Sequence, residues 1–167
     1  DLRGVPGTLL TVRGEGGADT LNAEDAPIGN VRLLLDGGDG TDVLTGSDND
    51  DSLYGGLGND SLVAGDGNDL VEADEGDDTL LGGDGNDELE GDFGNDVIDG
   101  GPGNDELEGG GAEGGGHGGG AGNSSDSHGF PVNNDGRMDI ILGGAGHDEI
   151  DSDHGDDLVD GEAGNAE

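Results

Sequence analysis

Aspartate returns at a fixed interval along the middle of the chain, at Asp42, Asp51, Asp60, Asp69, Asp78, Asp87, Asp96 and Asp105. Two residues after each stands an aliphatic: Leu44, Leu53, Leu62, Val71, Leu80, Leu89, Ile98 and Leu107. Carboxylates repeated at one phase are hard oxygen donors, and the chemistry they fit is coordination of a hard cation. The chain has no cysteine, so neither a thiolate metal site nor a disulfide framework is open to it. Acid/base catalysis fits poorly, because the even spacing assigns each carboxylate to its own turn rather than to one working pair. The sequence has no HExxH zinc motif and no GxSxG elbow. His117, His128, His147 and His154 are scattered over glycine-rich or turn positions and read as exposed linker residues, not as a transition-metal site. The chain itself is therefore not expected to be an enzyme.

The elements that position these carboxylates are visible as an internal repeat. The aspartate is the sixth residue of a nine-residue unit, and eight units run without a slip from Gly37 to Glu108. Gly55–Val63 reads Gly-Gly-Leu-Gly-Asn-Asp-Ser-Leu-Val, and Gly82–Glu90 reads Gly-Gly-Asp-Gly-Asn-Asp-Glu-Leu-Glu. Composition alone points elsewhere. Of 167 residues, 42 are Asp or Glu and 4 are Lys or Arg, for a net charge of -38, and aromatics are 2%. Such a composition belongs to a disordered acidic chain. Two positions held in register over eight units have no place in such a chain. The charge does exclude partners, since it repels nucleic acid and anionic membranes. No apolar run approaches the roughly 18 residues of a membrane-spanning helix. Asp1-Leu2-Arg3-Gly4 is not a signal peptide, which implies a mature form, a fragment, or export by a signal outside these residues.

The pattern Gly-Gly-x-Gly-x-Asp-x-aliphatic-x resembles the RTX, or hemolysin-type, calcium-binding nonapeptide repeat. The resemblance implies an all-β fold, a right-handed parallel β-roll with two repeats per turn and Ca²⁺ held between successive turns. It implies that backbone carbonyls of the glycine turns complete the calcium shell. It also implies a secreted bacterial protein, exported by a type I system.

The physical chemistry of one repeat leads to the same architecture. Glycines let the turn backbones approach closely and adopt positive φ. The last three residues form a short strand whose middle side chain points inward. Alternate repeats then lie on opposite sheets about 10 Å apart, each sheet stacking parallel strands about 4.8 Å apart. Stacked turns bring the sixth-position carboxylates of repeats i and i+2 together, and those charges repel unless a cation sits between them. Ca²⁺ suits such a site because it takes 6–8 oxygens in flexible geometry, whereas Mg²⁺ demands a tighter octahedron. One inward aliphatic per nine residues is too little burial to offset the ordering of nine backbones, so cation binding must supply folding free energy. Eight unbroken repeats pair to give six full sites, with fewer and weaker ones toward the C-terminus.

The flanks are less regular. Residues 1–36 read as irregular coils around one repeat, 14–22, in which Asp19 and Leu21 hold the key places. About five residues, Ala23 to Pro27, then break the phase. Val31, Leu33 and Leu35 alternate without a calcium aspartate, which predicts a metal-free coil or cap, and Leu10 and Val12 predict a similar first strand. Residues 37–108 are the eight-repeat roll, and 109–133 read as a flexible Gly/Ser-rich insertion. Repeats resume over 134–167 with Asp139, Asp148 and Asp157, the last unit stopping with Ala166 in the aspartate's place. A roll that stops in mid-repeat is expected to be part of a longer protein. Asn133–Asp139 also resembles a DxNxDG calcium loop, although Pro131 stands where its first Asp belongs.

The predicted function is a calcium-binding β-roll module that folds on Ca²⁺ binding after export and stabilises a secreted bacterial protein. The alternative is an extracellular structural element of a surface layer, adhesin or fibre, built by association of rolls. Sorting the outward positions by repeat predicts one nearly uncharged face, with Val43, Val63, Thr79 and Leu81. The other is acidic, with Glu72, Glu88, Glu90, Glu106 and Glu108. The neutral odd-repeat face is the one expected to meet a neighbouring domain or another copy.

Overall fold

The computed structural model describes residues 9–24, 31–110, 138–152 and 157–161. Among these residues every regular element is a strand. The N-terminal coils give β1 (Leu9–Arg13), β2 (Thr20–Asn22), β3 (Arg32–Asp39) and β4 (Val43–Thr45). Next come β5 (Ser52–Leu57), β6 (Ser61–Asp66), β7 (Leu70–Glu75) and β8 (Thr79–Asp84). The strands β9 (Glu88–Glu90), β10 (Val97–Asp99), β11 (Pro102–Gly103) and β12 (Glu106–Glu108) follow. The last four are β13 (Ile140–Leu142), β14 (Ala145–Gly146), β15 (Glu149–Asp151) and β16 (Leu158–Asp160).

Successive repeats alternate between two parallel sheets, as the period predicts. One sheet runs β1-β3-β5-β7-β9-β12-β15, and the other runs β2-β4-β6-β8-β10-β13-β16. A small pair, β11 and β14, joins two turns at one edge. Each strand pairs with the strand two repeats away, so Leu44 lies beside Leu62 and Leu62 beside Leu80. The eighth-position aliphatics form the core as two inward columns, and Leu44, Leu53, Leu62, Val71, Leu80 and Ile98 are wholly buried. This is a parallel β-roll: all-β, with a thin aliphatic interior.

The N-terminal coils extend the same stack. Leu21 lies beside Leu44, so the five extra residues between the first repeat and the rest leave the column unbroken. In the other sheet Leu10 lies beside Leu33 and Val12 beside Leu35. Leu33 occupies the position that aspartate holds elsewhere and is 2% exposed. The base of this sheet is therefore closed by apolar side chains.

The C-terminal repeats continue the roll across the glycine-rich segment. Ile141 lies beside Ile98, and Ile150 beside Leu107. Gly109 and Gly110, expected as the first residues of the insertion, instead occupy the first two places of the ninth turn. The Gly109 N–H donates to Asp151 O at 2.9 Å, as the Gly91 N–H does to Glu108 O at 3.0 Å. The segment therefore enters inside a turn, after Gly110, rather than between two repeats. Most of it, with His117, His128 and the loop before Met138, lies outside the described residues, as does His154.

Candidate metal centre

The two edges of the roll are stacks of turns, and each carries a ladder of sixth-position aspartates. Along one edge the backbone N–H of Asp42 donates to Asp60 Oδ1 at 2.7 Å, Asp60 to Asp78 at 2.6 Å, and Asp78 to Asp96 at 2.8 Å. The same ladder begins at Asp19, whose N–H donates to Asp42 Oδ1 at 2.7 Å. It continues through Asp139, reached by Asp96 at 2.7 Å, to Asp157 at 3.1 Å. Along the other edge Asp51 donates to Asp69 at 2.7 Å, Asp69 to Asp87 at 3.0 Å, and Asp87 to Asp105 at 3.0 Å. That ladder ends at Asp148, reached by Asp105 at 3.2 Å. The structure thus brings all twelve predicted aspartates into two continuous ladders, each carboxylate one coil from the next.

In every ladder aspartate above Asp19 one carboxylate oxygen is used by the ladder; the other is what makes a cation site. The Oδ2 atoms of Asp19, Asp42, Asp60, Asp69, Asp78, Asp87, Asp96, Asp105 and Asp148 are buried with no hydrogen-bond partner. A buried carboxylate oxygen without a donor costs several times what a made hydrogen bond contributes. Nine orphans of one kind at one repeat position call for one common partner. Carbonyl oxygen turns toward the same space. A β-carbon on Gly37 would stand 2.6 Å from Asp42 Oδ2 and 2.7 Å from Gly55 O; on Gly91, 2.7 Å from both Asp96 Oδ2 and Gly109 O. Ala64 and Ala73 stand at that first position in the fourth and fifth repeats, and their methyls are wholly buried.

Among the described residues no three Asp, Glu, His or Cys side chains converge on one point. A cation here must therefore take most of its oxygens from the backbone. That donor set fits Ca²⁺, which mixes carboxylate with carbonyl oxygen, and it offers nothing to a metal that prefers nitrogen or sulfur. Electrostatics agree. Burial, with neighbouring aspartates adding to the effect, pushes the carboxyls of Asp69, Asp78 and Asp96 up to about 7 and that of Asp87 to about 6. Ladder bonds from the coil below oppose the rise without cancelling it. Stacked negative charge in a dry edge is costly, and a divalent cation removes the cost.

A second ladder, at the fifth position, was not anticipated. Asn86 N–H donates to Asn68 Oδ1 at 3.1 Å, Asn104 N–H to Asn86 Oδ1 at 3.1 Å, and Asn95 N–H to Asp77 Oδ1 at 3.1 Å. These bonds run from the upper coil down, opposite to the aspartate ladder, so the turns from Asp50 upward are stitched in both directions. Asn95 also holds the exposed Asp77 carboxyl below the usual carboxylate range. His147 takes the fifth place in its turn, exposed, with its N–H on Asn104 Oδ1 at 3.0 Å. The signal lay in the sequence as an Asn or Asp before every ladder aspartate from Asp51 to Asp105.

One turn departs from the rest. Asp51 Oδ2 accepts from the Ser47 N–H at 2.9 Å and from Ser47 Oγ at 2.7 Å, and so is not orphaned.

Two sheets of parallel strands edged by stacked aspartate turns define a calcium-binding repeat module. The family comparison places it further: the model for the RTX calcium-binding nonapeptide repeat matches four times, over residues 36–71, 56–89, 81–112 and 134–166. The chain belongs to that family of calcium-binding repeats. No curated protein matches the chain.

Proposed function

We propose that this chain is a calcium-triggered folding module of a secreted protein, with ladder aspartates supplying the carboxylate ligands at most turns. The observation that carries it is the row of nine buried, partnerless Oδ2 atoms. Without a cation those oxygens and the thin core leave the extended chain favoured. With it, binding free energy becomes folding free energy. At the roughly 10⁻⁴–10⁻³ M affinities of extracellular calcium modules, the chain stays unfolded at cytosolic calcium and folds outside the cell. Export through a type I system, unfolded, follows the same logic. The test is circular dichroism during a calcium titration, with Asp78→Ala beside Glu88→Ala. The expected result is a disordered spectrum in chelator and a cooperative β-sheet transition in calcium, shifted to higher calcium by Asp78→Ala and not by Glu88→Ala. A β-sheet spectrum in excess chelator at pH 8 would sink the reading.

A second reading, lateral association of rolls, is favoured by one observation. The sheet of β4, β6, β8 and β10 presents exposed Val43 (41%) and Leu81 (38%), and its C-terminal end adds Leu158 at 59%.

A further inference from the structure

The turn Gly46–Asp51 is built differently from every other described turn of the roll. Asp51 Oδ2 is the one sixth-position oxygen shown with two donors, Ser47 N and Ser47 Oγ, and Ser47 is itself 4% exposed. Asn49 Nδ2 donates to the same hydroxyl at 3.3 Å. The backbone differs as well. The second position is left-handed at Gly38 (φ 97°), Gly56 (φ 102°) and Gly65 (φ 115°), and even at Asp74 (φ 72°) and Asp92 (φ 65°). Ser47 does not take that conformation, and Asn49 stands where the fourth-position glycine belongs. The carbonyl at that fourth position is displaced in consequence. A β-carbon built on Gly58, Gly76, Gly85 or Gly94 would overlap the fourth-position carbonyl oxygen of the coil below. One on Gly67 would stand 2.8 Å from Asn49 O. Below Asp51 the ladder has no carboxylate at all, because Leu33 fills the place and its N–H donates to Asp51 Oδ1 at 2.8 Å.

We propose that the turn Gly46–Asp51 is a built-in metal-free turn, in which the Ser47 hydroxyl and N–H take the place of calcium at Asp51. This rests on the calcium reading above and deepens it, by naming the turn at which the ladder of that edge begins. Three features that a cation needs are altered together here: the free Oδ2, the glycine backbone and the aligned fourth-position carbonyl. Ser47 supplies the two donors that satisfy Asp51 Oδ2 instead, and Asn49 Nδ2 donates to its hydroxyl. The turn sits directly on the apolar base formed by Leu33 and Leu35, so it joins the part of the roll closed by aliphatics to the part closed by calcium. Asp51 is then a structural aspartate, unlike Asp69, Asp87 and Asp105 above it.

The test counts calcium ions on the folded chain by native mass spectrometry, with circular dichroism as the fold readout. Ser47→Gly with Asn49→Gly restores the repeat's glycine pattern and is expected to add one Ca²⁺ to the wild-type number. Ser47→Ala removes the hydroxyl and keeps the β-carbon. It is expected to leave the number unchanged while raising the calcium concentration needed for folding. Loss of one ion in Ser47→Ala would make Ser47 a ligand and overturn the proposal. So would a glycine double variant that binds the wild-type number or does not fold in saturating calcium. A wild-type chain that binds no calcium would overturn the underlying reading instead, which keeps the two failures distinct.

Discussion

At Asp69, Asp78, Asp87 and Asp96 the metal-free fold holds protons that the unfolded chain releases. Ordinary aspartate titrates near 4, whereas burial holds Asp69, Asp78 and Asp96 near 7 and Asp87 near 6. A carboxyl raised in this way contributes stability that is present below about pH 4 and is lost as pH rises through 6 to 7. The metal-free roll is thus least stable at alkaline pH, where calcium is most needed. Calcium in turn must displace those protons to bind. Two outcomes are expected. In chelator, residual β-structure should increase from pH 8 to pH 4.5, and the calcium midpoint should move to higher concentration between pH 8 and pH 5.5. A midpoint that is constant over that range would show that the ladder carboxylates do not hold the ion. The aspartates themselves were legible in the sequence because one residue type at one phase has no other reading. The fifth-position ladder was less so, since Asn and Asp are common in any turn and carry no direction. Ser47 was illegible for a different reason. Its role depends on which oxygen of Asp51 it meets, and a repeat pattern contains no such geometry.

At the level of elements, the ninth turn is the informative one. Its first two residues are Gly109 and Gly110, and its sixth is Asp139, whose Oδ1 accepts from Asp96 across 43 residues where the regular ladder spans 18. The difference, 25 residues, is accommodated without a break in either sheet. The strands were readable from alternation alone, because a buried eighth position flanked by outward residues admits one register. The point of insertion was not. Gly109-Gly110 merges into a longer glycine run, and composition cannot separate turn glycines from linker glycines. If the roll is carried by its strands, the inserted segment is dispensable for folding. Deleting residues 112–136 is expected to leave the calcium midpoint and the β-sheet amplitude within error of wild type. Loss of the C-terminal β-signal in that variant would show that the segment itself supports the ninth turn.

On the scale of the whole molecule, the two sheets present opposite electrostatic faces. Outward residues of one sheet stack as Ser61, Thr79, Val97 and Ile140 in one column and Val63, Leu81, Asp99 and Leu142 in the other. The other sheet stacks Glu88, Glu106 and Glu149 beside Glu72, Glu90, Glu108 and Asp151. Burial, together with Asp92 and Glu108, raises the Glu90 carboxyl to about 7, so this one group of the face resists full ionisation. With a net charge of -38, the neutral sheet is the face on which two copies would meet the least repulsion. That sheet is narrow. Seven strands about 4.8 Å apart and three residues of about 3.3 Å each give a footprint of roughly 330 Å², against about 800 Å² per partner in a standard interface. Any association through this face would therefore be weak and sensitive to single charges. Sedimentation of the calcium-loaded chain at increasing concentration is expected to show reversible self-association. Val63→Lys with Leu81→Lys should reduce it about tenfold, while Glu88→Gln with Glu106→Gln should leave it intact. If the glutamine pair alters association and the lysine pair does not, the acidic sheet is the contact surface and the neutral face has another cause.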